Sequence, residues 1–316
     1  MSITADAPTR SGWLREDALL TVEGLHCAFK TASGRVHAVR GVTFDVRAGE
    51  TLGLVGESGC GKTTTGRAVL RLPPPTAGRI SFRGQDMADL STSALRRERR
   101  NVQMIFQDPL SAFNPRRKVV DIVGEGLEIQ GVPRAERRER IAEALDQVGM
   151  SLEAVGDRRP HELSGGQCQR ISIARALAVG PDLIVCDEPV ASLDVSVQAR
   201  VLNVLQDIRE RNGLSLVFVS HDLAVVKVMS DRVAVMYRGR IVEIGPADSV
   251  YRTPSHPYTR RLLDAVPVLD PAERSWEGSQ ADDDAEWRTV DRALVEVAPE
   301  HYAALGEVVH DGERVP

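Results

Sequence analysis

The sequence has no long apolar run. Nothing in its 316 residues approaches the ~20 consecutive apolar positions that span a bilayer, so any membrane role is exercised from outside the lipid. The opening "MSITADAPTRSGWLRED" lacks the basic-then-apolar pattern of a secretory signal, and none is expected. The four cysteines, Cys27, Cys60, Cys168 and Cys186, show no C-x-x-C spacing, which argues against a zinc site and for reduced thiols in a cytoplasmic protein. Basic excess is missing as well. Lys plus Arg is 40 against 45 for Asp plus Glu, a net charge of −5, so nucleic acid is not expected as the main partner. What remains, 42% hydrophobic and 27% charged, is the composition of a soluble globular chain.

Residues 1–17 read as a flexible polar leader. From Leu19 to Val46, β-type runs with turns at "SGR" and "RAGE" predict a small, mainly antiparallel sheet. "TLGLV" is a compact apolar strand, followed by a helix from Gly61 to about Leu72 that "PPP" stops. "GRISF" and "NVQMIF" read as strands with a basic helix, "ALRRERR", between them. The stretch from about 115 to 178 turns helical, with Ile141, Leu145 and Val148 at helical spacing. Strand "LIVCD", a helix over 196–211 with Val201, Val204, Leu205 and Ile208 on one face, and strands "LSLVFVS" and "RVAVMY" then restore β/α alternation. That alternation predicts a parallel sheet covered on both faces. A helix after Gly245, a Pro-rich segment and the acidic "GSQADDDAEW" close the chain, the Asp run reading as a solvated linker.

"GESGCGKTT" (Gly56, Glu57, Ser58, Gly59, Cys60, Gly61, Lys62, Thr63, Thr64) follows a strand and opens a helix, fitting G-x-x-x-x-G-K-[ST]. Glycines let successive N–H groups face one anion, and the helix N-terminus adds positive charge. Lys62 is expected to reach β- and γ-phosphates and Thr63 to ligate Mg²⁺. "LIVCDEP" ends in two carboxylates. Asp187 suits Mg²⁺, and Glu188 suits a water in line with a γ-phosphate. Gln107, at the end of a predicted strand, could touch the metal or that water. His221 after "FVS" could hydrogen-bond a γ-phosphate. Asp194 in "SLD" reads equally as a helix cap. "LSGGQ" (Ser164, Gly165, Gly166, Gln167) before "ISIARALAV" is a second helix start, open either to a second anion or to a plain capping role.

In this order, "GESGCGKT", "QDP", "LSGGQ", "LIVCDEP", "SLD" and "SHD" resemble the ATP-binding subunits of ABC transporters. The resemblance implies an α/β P-loop NTPase fold of ABC type over 18–250, with an antiparallel β subdomain and a helical subdomain inserted at about 115–178. It implies ATP and Mg²⁺ as ligands, and two ATPase subunits facing head to tail. Ser164, Gly165, Gly166 and Gln167 of one would then close on the ATP of the other, with Asp194 a contact across the dimer. Glu188 becomes the general base and His221 the γ-phosphate sensor. The Gln107 loop and the helical insertion would receive two transmembrane permease subunits. Phe29 in "CAFK" stands where an aromatic ring stacks on adenine.

"QDPLSAFNPR" and "GRIVEIGPADSVYRTPSHPYTRRLLDAVP" are similar to the ATPases of oligopeptide, dipeptide and nickel importers, whose C-terminal extension would here occupy 251–316. Many relatives carry a cysteine cluster in that tail, sometimes with an iron–sulfur centre. This chain has no cysteine after Cys186, so no cluster is expected. The resemblance also implies a related but different partner ATPase, an extracytoplasmic solute-binding protein acting indirectly, and a peripheral position on the cytoplasmic face of the membrane. A soluble ABC ATPase of nucleic acid or ribosomes, supported by "RRERR" and "RAERRER", and an exporter ATPase are the alternatives.

Overall fold

The computed structural model describes residues 13–32, 34–265 and 292–305, with two short paired strands at 309–310 and 313–314. First come β1 (Leu20–Thr31), β2 (Gly34–Val46), β3 (Thr51–Val55), α1 (Lys62–Val69), β4 (Ala77–Phe82), β5 (Gln85–Asp86), α2 (Thr92–Glu98) and β6 (Val102–Ile105). The helical stretch is α3 (Val119–Ile129), α4 (Arg134–Gln147), α5 (Leu152–Val155), a 3-10 turn (Pro160–Glu162) and α6 (Gly165–Leu177). Next are β7 (Leu183–Asp187), α7 (Val195–Asn212), β8 (Ser215–Val219), α8 (Leu223–Met229), β9 (Arg232–Tyr237) and β10 (Arg240–Pro246). Helices α9 (Ala247–Arg252) and α10 (Pro257–Asp264) precede the hairpin of β11 (Val295–Ala298) and β12 (His301–Ala303). The acidic run at 278–287 lies outside the described residues.

The chain divides into two units. The first takes in residues 1–47, 51–89 and 221–316. One of its sheets has the order β2-β1-β4-β5 and is antiparallel throughout. The other runs β11-β12-β10-β9-β3. There β3 and β9 are parallel, as expected, while β10, β12 and β11 add antiparallel strands at one side and make the sheet mixed. The cause is local. Arg238 and Gly239 both adopt positive φ (46° and 85°) between paired Tyr237 and Arg240, the two-residue turn that folds a chain straight back. Arg83 and Gly84 (52° and 75°) do the same between β4 and β5. The sequence pattern predicts no element at β5, α8, β10, α10, β11 or β12.

Helix α1 ends at Val69, not near Leu72. Arg71 turns left-handed (φ 56°), its N–H bonding Ala68 O and that of Leu72 bonding Arg67 O. This pair of back-bonds terminates the helix before the prolines act. The described part of the expected leader, 13–17, is packed instead of loose: Trp13 stacks on Tyr302 at 5.3 Å and Leu14 is buried. Asp45 and Arg232, both buried, pair at 3.0 Å and tie β2 to β9.

The second unit holds residues 48–50 and 90–220. Its strands run β8-β7-β6, all parallel. Every residue of β7 and β8 is buried, as strands covered on both faces require. Helix α6 is buried from Cys168 to Leu177 except Arg170 and Arg175, and packs on α3, α4 and α7. Ile141, Leu145 and Val148 point into this core as expected, whereas on α7 Val204 is only half-buried beside buried Val201, Leu205 and Ile208. Cys168 is a packing residue, its thiol on the Pro160 carbonyl at 3.6 Å.

In the first unit a buried carboxylate, Glu243 of β10, accepts the N–H groups of Ser255 (2.7 Å) and His256 (3.0 Å) and lies 2.7 Å from His301 Nε2 of β12. His256 in turn caps α10, its Nδ1 accepting the Tyr258 N–H at 3.1 Å. Burial drives the His256 imidazole down to about 4, with Glu243 opposing and Arg260 adding to the shift. In the unfolded chain the ring protonates near 6.5, so between those values the unfolded state binds more protons and stability falls as pH falls. At pH 4.5 this group alone should cost roughly 2–3 kcal/mol relative to pH 7. Urea midpoints at both pH values should show a smaller drop for His256→Asn, which can cap the helix but does not titrate.

Candidate functional site

The phosphate-type loop lies between β3 and α1 in the first unit. Gly56 and Gly61 take positive φ (148° and 106°), and a Cβ there would come within 2.2 Å of Met236 O and 2.3 Å of Ala38 O. Only glycine fits between the β9 and β2 backbones at these points. Lys62 is 4% exposed, yet its ammonium is satisfied: Nζ donates to Gly56 O (2.7 Å) and Glu57 O (3.0 Å). The Cys60 sulfur lies 4.0 Å away, and burial raises its thiol pKa while Lys62 pulls it down. Helix α1 has no side chain capping its N-terminus. The first N–H groups therefore suit an anion.

Phe29 of β1 stands directly opposite Val36 of β2, and both are exposed, at 38% and 49%. Two adjacent apolar side chains open to solvent make a platform for a flat ring. Sequence pattern singles out Phe29 but not Val36, because their pairing depends on β-bulges that shift the β1/β2 register. His221, the first residue of this unit after β8, is exposed, and Asp222 caps α8 by accepting from Ala224 (2.9 Å) and Val225 (3.2 Å).

In the second unit Asp187 ends β7 almost wholly buried, and Glu188 follows with φ 47°, a left-handed conformation uncommon for a residue with a Cβ. The Glu188 N–H donates to Val219 O at 2.9 Å. Gln107 Nε2 donates to Glu188 Oε2 at 3.0 Å, so two of the expected residues meet across 81 positions of sequence. In that bond the Gln107 amide uses its nitrogen, and its oxygen is an acceptor. Asp194 occupies the N-cap position of α7, but its carboxylate makes no cap bond and is exposed, against the plain capping role. Ser164 does cap: its hydroxyl accepts the Gln167 N–H (3.3 Å) and Gln167 Oε1 accepts the Ser164 N–H (2.9 Å). Ser164 and Gly165 are exposed, and a Cβ on Gly166 would come within 2.4 Å of Val197.

A family model described as "ABC transporter" matches residues 39–191, and one for the oligopeptide/dipeptide transporter C-terminal region matches 242–286. A protein of Brucella ovis named as a peptide import ATP-binding protein is 52% identical over 263 residues, 83% of each chain. The chain belongs to the ABC transporter ATP-binding family. The oligopeptide transport ATP-binding protein OppF of Bacillus subtilis is 49% identical over 258 residues, 81% of this chain and 84% of its own. Among solved structures this ABC ATPase is similar to cbiO1 of Clostridium perfringens, part of the ABC transporter complex cbiONQ. The TM-score is 0.66 at 30% identity, over 75% of this chain and 91% of that one. It is also similar to the dimeric cassette MJ0796 in a post-hydrolysis state bound to ADP and Pi, with a TM-score of 0.65 at 27% identity over 72% and 98%. The expected α/β P-loop fold of ABC type is therefore the observed one, and the activity is ATP hydrolysis.

Tyr258 adds a contact that no sequence motif signals: its hydroxyl accepts the Glu57 N–H of the phosphate-type loop at 3.1 Å. No motif in the loop announces a partner 201 residues away. Because Gly61 has no room for a side chain, Gly61→Ala should weaken ATP binding at least roughly tenfold, through strain at a positive φ. Titration with a fluorescent nucleotide measures it.

Proposed function

We propose that this chain is the ATP-hydrolysing subunit of an importer for peptides or similar small solutes, working at the cytoplasmic face of a membrane. The observation that carries the reading is the coexistence in one chain of the ABC region (39–191) and the oligopeptide/dipeptide-type C-terminal region (242–286). Among the described residues no helix is long and apolar enough to cross a membrane. The pore would be supplied by two permease subunits, with a solute-binding protein on the far side and a second, related ATPase as partner.

In this reading Phe29 and Val36 receive adenine, while the loop N–H groups and Lys62 receive the phosphates. Thr63, Gln107 and Asp187 would hold Mg²⁺. Their hydroxyl, amide and carboxylate oxygens are the hard donors this ion takes. When bound, it would neutralise charge on the triphosphate. Glu188, held by Gln107 and by its strained backbone, acts as general base toward water, and His221 contacts the γ-phosphate. Exposed Ser164 and Gly165, with half-buried Gly166 and Gln167, close on the nucleotide of the partner ATPase, with Asp194 beside them. Each nucleotide then bridges two subunits, so ATP favours the closed pair.

Glu188→Gln should lower phosphate release by about 10²–10⁴-fold while ATP is still bound; turnover at the normal rate would remove Glu188 from its role. Ser164→Arg should abolish hydrolysis yet leave ATP binding by the isolated chain intact, and loss of that binding would contradict a site completed by a partner. Purification from mild detergent should bring down membrane subunits.

A further inference from the structure

The Gly56–Glu57 peptide group is held at both ends. Its carbonyl, Gly56 O, accepts from Lys62 Nζ at 2.7 Å, and its N–H, on Glu57, donates to Tyr258 Oη at 3.1 Å. Rotation of that one peptide plane would withdraw both bonds together. Tyr258 belongs to the C-terminal region, on α10, and is itself buried, with its ring 4.4 Å from that of Tyr237. Its place is set by a chain of polar contacts. Glu243 accepts from Ser255 and His256, and lies against His301, at 2.7, 3.0 and 2.7 Å. His256 Nδ1 accepts from the Tyr258 N–H at 3.1 Å.

We propose that Tyr258 is a positioning residue for ATP binding: it orients the Gly56–Glu57 peptide that docks Lys62, and so links the C-terminal region to the phosphates of the nucleotide. The inference rests on Lys62 as phosphate ligand. Before ATP arrives the buried ammonium needs oxygen partners, and the peptide oriented by Tyr258 supplies one. A preset peptide keeps the lysine in place for phosphate instead of leaving it to be ordered on binding. The rest of the C-terminal region acts through Glu243, which holds the start of α10 in register.

The test uses the purified full chain. Tyr258→Phe keeps the ring packing on Tyr237 and removes only the hydroxyl, so the variant should fold. It should bind ATP and ADP roughly three- to tenfold more weakly, the worth of one hydrogen bond. It should raise KM for ATP with kcat within about twofold of wild type. AMP, which offers Lys62 no β- or γ-phosphate, should compete for the site equally well against both proteins. Glu243→Gln cannot accept from the same two N–H groups with both side-chain positions, so it should act in the same direction, and the double variant should bind no worse than the weaker single one. Unchanged ATP affinity in Tyr258→Phe would overturn the proposal. So would an equal loss for ATP and AMP, because the effect would then bypass Lys62. Hydrolysis surviving in Glu188→Gln would fail the catalytic assignment and leave this one standing, since Tyr258 is read by binding.

Discussion

A lysine ammonium buried without oxygen around it is among the costlier things a protein can contain. Lys62 meets that constraint with two backbone carbonyls. The carbonyls of Gly56 and Glu57 reach Nζ only because the loop coils tightly against β9 and β2, with Met236 O and Ala38 O where side chains would otherwise sit. The glycines are therefore consequences of the lysine's needs as much as of the ligand's. The same coiling leaves α1 uncapped by any side chain, so the pull on an anion is built before the anion arrives.

The second unit meets a different constraint at the end of β7. Parallel strands buried on both faces carry apolar side chains until they emerge, and the first polar residues to appear are Asp187 and Glu188. Glu188 leaves the strand in a left-handed conformation, which costs of order 1–3 kcal/mol, and the bond to Val219 and the amide of Gln107 hold it there. A carboxylate fixed in this way keeps little conformational freedom of its own.

The start of α6 is satisfied by its own residues. Within the chain, Ser164 and Gln167 form a complete capping box, and that alone would justify the residue types. The small residues beside them leave the surface open where a larger side chain would cover it. Cys168, next in line, turns inward and is used for packing. The exposed carboxylate of Asp194, at a cap position that it does not use, is the clearer departure from local need.

The sequence by itself determined the features that depend on neighbours along the chain. Strand "TLGLV", the loop of glycines and Lys62, the Asp-Glu pair at the end of "LIVCD", and the capped start at Ser164 are all short-range patterns, and backbone geometry reads them directly. Where local signals competed, the reading slipped: the Arg71 back-bonds ended α1 before "PPP" did, and turns at Arg83–Gly84 and Arg238–Gly239 folded hairpins without an Asn-Gly or Asp-Gly signature. Only tertiary structure decided the pairing of Phe29 with Val36, the meeting of Gln107 with Glu188, and the reach of Tyr258 to Glu57. Each joins segments brought together by sheet register or helix packing. Those are set by the burial of many apolar side chains at once, so no single stretch of the sequence contains them.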